Sequence, residues 1–281
     1  MILSELIQRS PIRIFEQSIN GGLKPGEIGI IASPNGVGKT SVLVQLALDK
    51  LMQGKKVIHV SFTQHTHYVP IWYEDIFNEF INSKNLENTA EVKNDLVKNR
   101  VLMNFNQDGV TKEQILRSLR AMIIEGGFKA DSIIIDGFDF NRAASNSAAL
   151  GSAAALGSTA ALGSDSASGI LSGSGIYSDS ANTSGIKASF EAVKNFATEL
   201  GVSVWYSCSV KDDGSQYDNE NIPVVLNSFI DFIDVVIILQ PKQDFIELSI
   251  SKDRGSIITK LNTAELAPMR LDPKTLLILE A

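Results

Sequence analysis

EIGIIASPNGVGKTSVLVQLALDKLM, residues 27–52, contains a change of period. Glu27–Ala32 is a short continuous apolar run, the pattern of a strand buried on both faces. From Thr40 to Met52 the pattern turns helical, with Val42, Leu43, Leu46, Ala47 and Lys50 at helical spacing and Gly54 as a stop. Ser33–Thr40 joins the two. Gly36 and Gly38 let the backbone turn so that successive N–H groups point inward. The helix start adds unsatisfied N–H groups and a positive dipole end. In this frame Lys39 reaches the β/γ-phosphates of a nucleotide and the Thr40 hydroxyl holds Mg²⁺. The plainer alternative is a Gly-rich turn with an exposed lysine, and the strand–loop–helix context argues against it. A dinucleotide loop fails on spacing, because its third glycine falls on Ser41.

The same alternation continues outward. Lys56–Phe62, Val101–Phe105, Ser132–Asp136 and Val202–Cys208 read as strands. Trp72–Phe80, Thr111–Glu125, with a Thr111/Gln114 capping box, and Lys187–Leu200 read as helices. Asn221–Ile230 looks helical, and Asp234–Leu239, Phe245–Ser251 and Leu276–Leu279 look like further strands with shorter links. This predicts an α/β fold with a mostly parallel central sheet flanked by helices and an antiparallel extension at the C-terminal end. Asp136 closes an apolar strand, where a carboxylate without a partner is costly, and so is the candidate metal-side acid. Asp139 reads as a loop acid.

One stretch differs. Residues 143–185 are nearly all Ala, Ser, Gly and Leu, with Leu-Gly recurring at 150–151, 156–157 and 162–163. Such a tract buries too little apolar surface to offset its ordering entropy and reads as a flexible insertion in a single domain spanning 1–281. It is also similar to hexapeptide β-helix repeats, though with too few units to stack.

Lys+Arg is 25 against Asp+Glu 32, a net charge of −7, poorly suited to a phosphate backbone. A single cysteine, Cys208, excludes an internal disulfide and suits a reducing compartment. No apolar run reaches the ~18 residues of a membrane span, and the opening residues lack a secretory pattern, so a cytoplasmic protein is expected. His59, His65 and His67 raise the question of a metal, but His65 and His67, two residues apart with no Cys or third ligand nearby, fit a surface loop better than zinc ligands. Tyr68, Trp72 and Tyr73 beside Glu74 and Asp75 suit packing better than stacking on nucleic-acid bases.

Gly21-Gly22-Leu23-Lys24-Pro25-Gly26-Glu27 ahead of the phosphate loop, with Asp136 downstream, resembles the RecA-like P-loop ATPases, particularly the KaiC-like and replicative-helicase branch. The resemblance implies that Ser33, Asn35, Gly36, Val37, Gly38, Lys39, Thr40 and Ser41 bind ATP, and that Thr40 and Asp136 hold Mg²⁺. Lys252-Asp253-Arg254-Gly255 looks like the family's finger, with Lys252 and Arg254 serving a neighbouring subunit's site in a ring or filament of like chains. The alternative is an exposed strand end carrying two cations. Met269–Pro273 looks like the family's closing strand.

Three departures stand out. Ser33 replaces the usual first glycine of the loop. Thr63 and Gln64 stand where the family has a catalytic glutamate, leaving Gln64 to orient a water; losing a general base costs ~10²–10⁴ in rate. Ser207 or Ser209 occupies the place of a phosphate-sensing glutamine. The expectation is therefore an ATP-binding protein with slow hydrolysis and nucleotide-dependent self-assembly or switching. Two alternatives are a DNA-dependent motor, disfavoured because no Lys or Arg lies between Arg142 and Lys187, and a non-hydrolysing scaffold with a vestigial site.

Overall fold

Strand β1 (Ile28–Ser33), buried along its whole length, is the middle of one mixed sheet. The computed structural model describes residues 7, 10, 12–62, 67–84, 89–140, 179–211, 216–257 and 269–280. Parallel neighbours β5 (Ser203–Ser209) and β6 (Val235–Pro241) flank β1. Outside β5 lie β4 (Ser132–Asp136), β2 (Val57–Ser61) and β3 (Arg100–Asn104), all parallel. Outside β6, strand β7 (Ile246–Asp253) turns antiparallel, carrying the two-residue β8 (Ser256–Ile257) and then β9 (Met269–Leu271) and β10 (Ile278–Glu280). A parallel block with an antiparallel extension is thus the observed α/β architecture.

Side-chain alternation divides the core into two layers. Ile31, Val57, Ile134 and Trp205 face helices α1 (Ile12–Ser18), α2 (Lys39–Met52), α3 (Val69–Lys84) and α4 (Ala90–Lys98). Ile30, Val60, Ile133 and Tyr206 face α5 (Lys112–Arg120), α6 (Asp179–Leu200) and the 3₁₀ helix Val224–Phe232. Gly29 sits between Ile28 and Ile30 because the Trp205 ring lies where a Cβ would be, with a ring carbon 2.4 Å away. Covering both faces makes the parallel strands read as unbroken apolar runs.

The helix expected over 111–125 is two pieces. Its Thr111/Gln114 capping box forms in both directions, but after Arg120 the chain loosens into a π-helical turn, Ala121–Glu125, with Gly126 N–H on the Ala121 carbonyl at 2.8 Å. The helix expected from Lys187 starts at Asp179, so 179–185 of the 143–185 tract are helical; 141–178 lie outside the described residues. The expected helix at 221–230 is a 3₁₀ helix at 224–232, and the last strand spans 278–280. Helix α4 escapes a reading based on periodicity because only Val92 and Leu96 of its nine residues are buried. Among the described residues no helix is long and apolar enough to cross a membrane.

Candidate functional site: the loop after strand β1

Strand β1 ends at Ser33 and α2 begins at Lys39, so the intervening turn stands at the C-terminal edge of the parallel block. Gly36 has φ +79° and Gly38 φ +108°, the left-handed conformations expected of a backbone that turns its amides inward. Around Gly36 there is open space, whereas a Cβ on Gly38 would stand 2.6 Å from Leu271 Cδ2. Asn35 and Gly36 are exposed; Ser33, Val37, Lys39 and Ser41 are buried. The N-cap of α2 is Gly38, which supplies no side-chain cap, and the first helical turn carries no acid. The helix start therefore keeps free N–H groups and an uncompensated positive dipole end.

Lys39 lies across this turn. Its ammonium donates to the carbonyls of Ser33 (3.0 Å) and Pro34 (2.8 Å) and to the Ser33 hydroxyl (3.3 Å). Three acceptors match the three protons of the ammonium. Burial pulls the Lys39 pKa down, and the charges of Cys208 and Asp136 oppose that shift. Cys208 is itself buried, its thiol pushed up to about 12, so near neutral pH the opposing charge is that of Asp136.

Asp136 reaches the same place from β4. Strand β5 separates β1 from β4, but α2 packs over β4 and β5, and its first turn carries Thr40 to the far strand. Thr40 Oγ1 donates to Asp136 Oδ2 at 2.8 Å, joining residues 96 positions apart. Ser61, paired with Asp136 across β2 and β4, ends the next strand. The Ser207 hydroxyl accepts from Gly137 N–H at 2.7 Å, pinning the turn after Asp136, while Ser209 pairs with Ser33 at the exposed end of β5. Ser41 is committed elsewhere: its hydroxyl donates to the Leu276 carbonyl at 2.5 Å, which also accepts from Gln45 Nε2 at 2.8 Å. These bonds seat the segment between β9 and β10 against α2.

Residues 33–41 and Asp136 are thus brought together. Lys252 and Arg254 are not, for they sit at the other end of β1, about 20 Å away along a six-residue strand. Neither is an exposed strand-end cation. Lys252 Nζ donates to the carbonyls of Ile230 (2.6 Å) and Ile233 (2.7 Å), capping the 3₁₀ helix. Arg254 Nε and Nη2 donate to the two carboxylate oxygens of Glu27, each at 2.9 Å. Its remaining N–H groups go to the carbonyls of Ile19 (3.2 Å) and Gly22 (2.9 Å) and to the Asp253 carboxylate. All five guanidinium protons are therefore used within the chain. Arg254 also clasps the Gly21–Glu27 lead-in, linking two motifs more than two hundred residues apart. Gln64, Thr63 and His65 lie outside the described residues.

The other sequence candidates resolve locally. His59 is a core residue of β2, its Nδ1 3.0 Å from the Tyr73 hydroxyl. Burial drives its pKa down to about 4, with Asp136 opposing and Arg100 adding to the fall. The Arg100 guanidinium stacks 4.1 Å from the Tyr73 ring centre. His67 and Tyr68 are exposed in the turn before α3. The backbone of Asp139 bonds the Gln107 side chain. Among the described residues no cluster of three or more His, Cys, Asp or Glu groups could hold a metal. Sequence reading missed the buried His59–Tyr73 pair; the one available signal was a histidine inside an apolar strand. No family model and no curated protein matches the chain.

Proposed function

We propose that this chain is a nucleotide-binding protein of RecA-like P-loop type that takes ATP with Mg²⁺, hydrolyses it slowly, and uses bound nucleotide to hold or switch an assembly of like subunits. The observation that carries the reading is the Thr40–Asp136 contact at 2.8 Å beside an uncapped helix start and two left-handed glycines. The turn amides and the first N–H groups of α2 would receive phosphate oxygens. Lys39 would exchange one or more of its loop acceptors for a phosphate. Thr40 and Asp136 present two adjacent hard oxygen donors, which fit Mg²⁺, a cation that completes its shell with waters and phosphate oxygens. When bound, the metal neutralises charge on those oxygens.

Slow turnover is supported from two sides. In the sequence, Thr63 and Gln64 follow β2 where the resemblance places a glutamate, and neither side chain is a base. Arg254, the cation expected to assist a neighbour, has no free N–H to offer in this conformation. Bound nucleotide would then persist and stabilise whatever conformation holds it.

The test is a melting curve with and without Mg·ATP. Wild type should melt several degrees higher with nucleotide, by RT ln(1 + [L]/Kd) of added stability, and Lys39→Ala should lose the shift. An unshifted wild type would favour the scaffold with a vestigial site. Salt-sensitive binding to single-stranded DNA with accelerated phosphate release would favour the motor.

A further inference from the structure

One side chain fastens the turn between β9 and β10 to the start of α2. Gln45 is 5% exposed and lies one helical turn after Ser41. Its Nε2 donates to the Leu276 carbonyl at 2.8 Å, and its Oε1 accepts from the Ile278 N–H at 2.9 Å. One end of the amide meets an acceptor and the other a donor, so exchanging the two ends would break both bonds. The Ser41 hydroxyl is the second donor to the Leu276 carbonyl, at 2.5 Å. Leu276 itself has φ +56°, a left-handed conformation that a leucine keeps only where its surroundings hold it.

The same turn touches the loop after β1. Asp272 closes the turn, its carbonyl accepting from the Leu276 N–H at 2.8 Å and its N–H donating to the Leu277 carbonyl at 2.9 Å. Leu271, fully buried at the end of β9, places Cδ2 2.6 Å from where a Cβ on Gly38 would stand. Leu276 Cδ2 lies 4.0 Å from the same point. Gly38, at φ +108°, sets the direction of the amides that open α2. Close-packed neighbours of this kind transmit displacement, so the seat of the turn and the course of the loop are set together.

We propose that Gln45 is a positioning residue of the nucleotide site, holding the β9–β10 turn against Gly38 and so fixing the amides that receive phosphate. Given the nucleotide reading above, on which this depends, Gln45 acts through the backbone and touches no phosphate. The effect is reciprocal: if the seated turn favours nucleotide, bound nucleotide favours the seated turn by the same factor.

Gln45→Met keeps the length and helix propensity of the side chain and removes both bonds to the turn. Mg·ATP should bind this variant at least about fivefold more weakly in a calorimetric titration, the low end of coupling between sites. In wild type, saturating Mg·ATP should slow hydrogen exchange of the Ile278 amide by a comparable factor. Leu271→Ala removes the contact with Gly38 and leaves Gln45 in place; it should weaken ATP as well, and the two effects should not add. Phe196→Leu, in the opposite core layer, is the control, losing stability but binding Mg·ATP as wild type does. A folded Gln45→Met protein with wild-type affinity overturns the proposal and leaves the nucleotide reading standing. Equal weakening by Phe196→Leu, or an Ile278 amide indifferent to bound nucleotide, does the same. Wild type that binds no Mg·ATP overturns both.

Discussion

Replacing Arg254 by alanine removes five donors at once and strands their partners. Glu27 keeps only the Lys24 N–H at 2.7 Å, and the Ile19 and Gly22 carbonyls lose a charged donor. The Arg254 and Glu27 side chains are 23% and 16% exposed, so water recovers only part of the loss. Breaking a fully buried pair costs ~3–5 kcal/mol, and the residual exposure argues for the lower end, about 3 kcal/mol. At ~2–4 °C per kcal/mol, Arg254→Ala should melt about 6–12 °C below wild type in the absence of nucleotide. Arg254→Lys keeps the charge but not the fork, and should fall in between. A double-mutant cycle with Glu27→Gln should show coupling of at least ~1 kcal/mol. Calorimetric melting of the nucleotide-free protein is the assay. If Arg254→Ala melts within ~1 °C of wild type, the clasp is not holding the lead-in. A side chain that changed ATP turnover alone would be serving a neighbouring site instead.

Two further outcomes follow from the polar groups near the loop. Ser33→Ala frees one proton of the Lys39 ammonium for phosphate, and should tighten ATP binding about fivefold by equilibrium titration, the worth of one long hydrogen bond; unchanged or weaker binding in a folded variant contradicts that role. His59 has its pKa depressed to about 4 from 6.5. The unfolded chain therefore binds the extra proton first: this stability is intact above pH 6.5 and is lost as pH falls from 6.5 towards 4, by ~3 kcal/mol in all. His59→Gln should flatten that part of the acid-side stability curve measured by urea denaturation, and an unchanged slope would sink the assignment.

What the sequence discloses follows what each segment buries. Strands β1 and β4 lie inside a two-faced sheet, so IGIIAS and SIIID are unbroken apolar runs with clear ends. The loop after β1 is legible for a different reason, since its pattern is local: the glycines, Lys39 and Thr40 lie within a few residues of one another. Asp136 could be named as a strand-ending carboxylate, but its contact with Thr40 spans 96 residues and needed the fold. Arg254 shows the limit. Its spacing suggested an outward-reaching cation, while the partners that hold it inward, Ile19, Gly22 and Glu27, are over two hundred positions away and two of them are backbone carbonyls. The π-helical turn after Arg120 is equally silent, because shifting one hydrogen bond from i+4 to i+5 leaves the apolar period of Leu119 and Ile123 intact.

The most direct measurement is a calorimetric titration of ATP into wild type and Asp136→Asn, each with and without Mg²⁺. Wild type should bind one nucleotide per chain, more tightly when the metal is present, and the variant should bind with an affinity that magnesium no longer improves. Absence of heat with wild type, or a magnesium effect of equal size in both proteins, would contradict a nucleotide held between the loop after β1 and the end of β4.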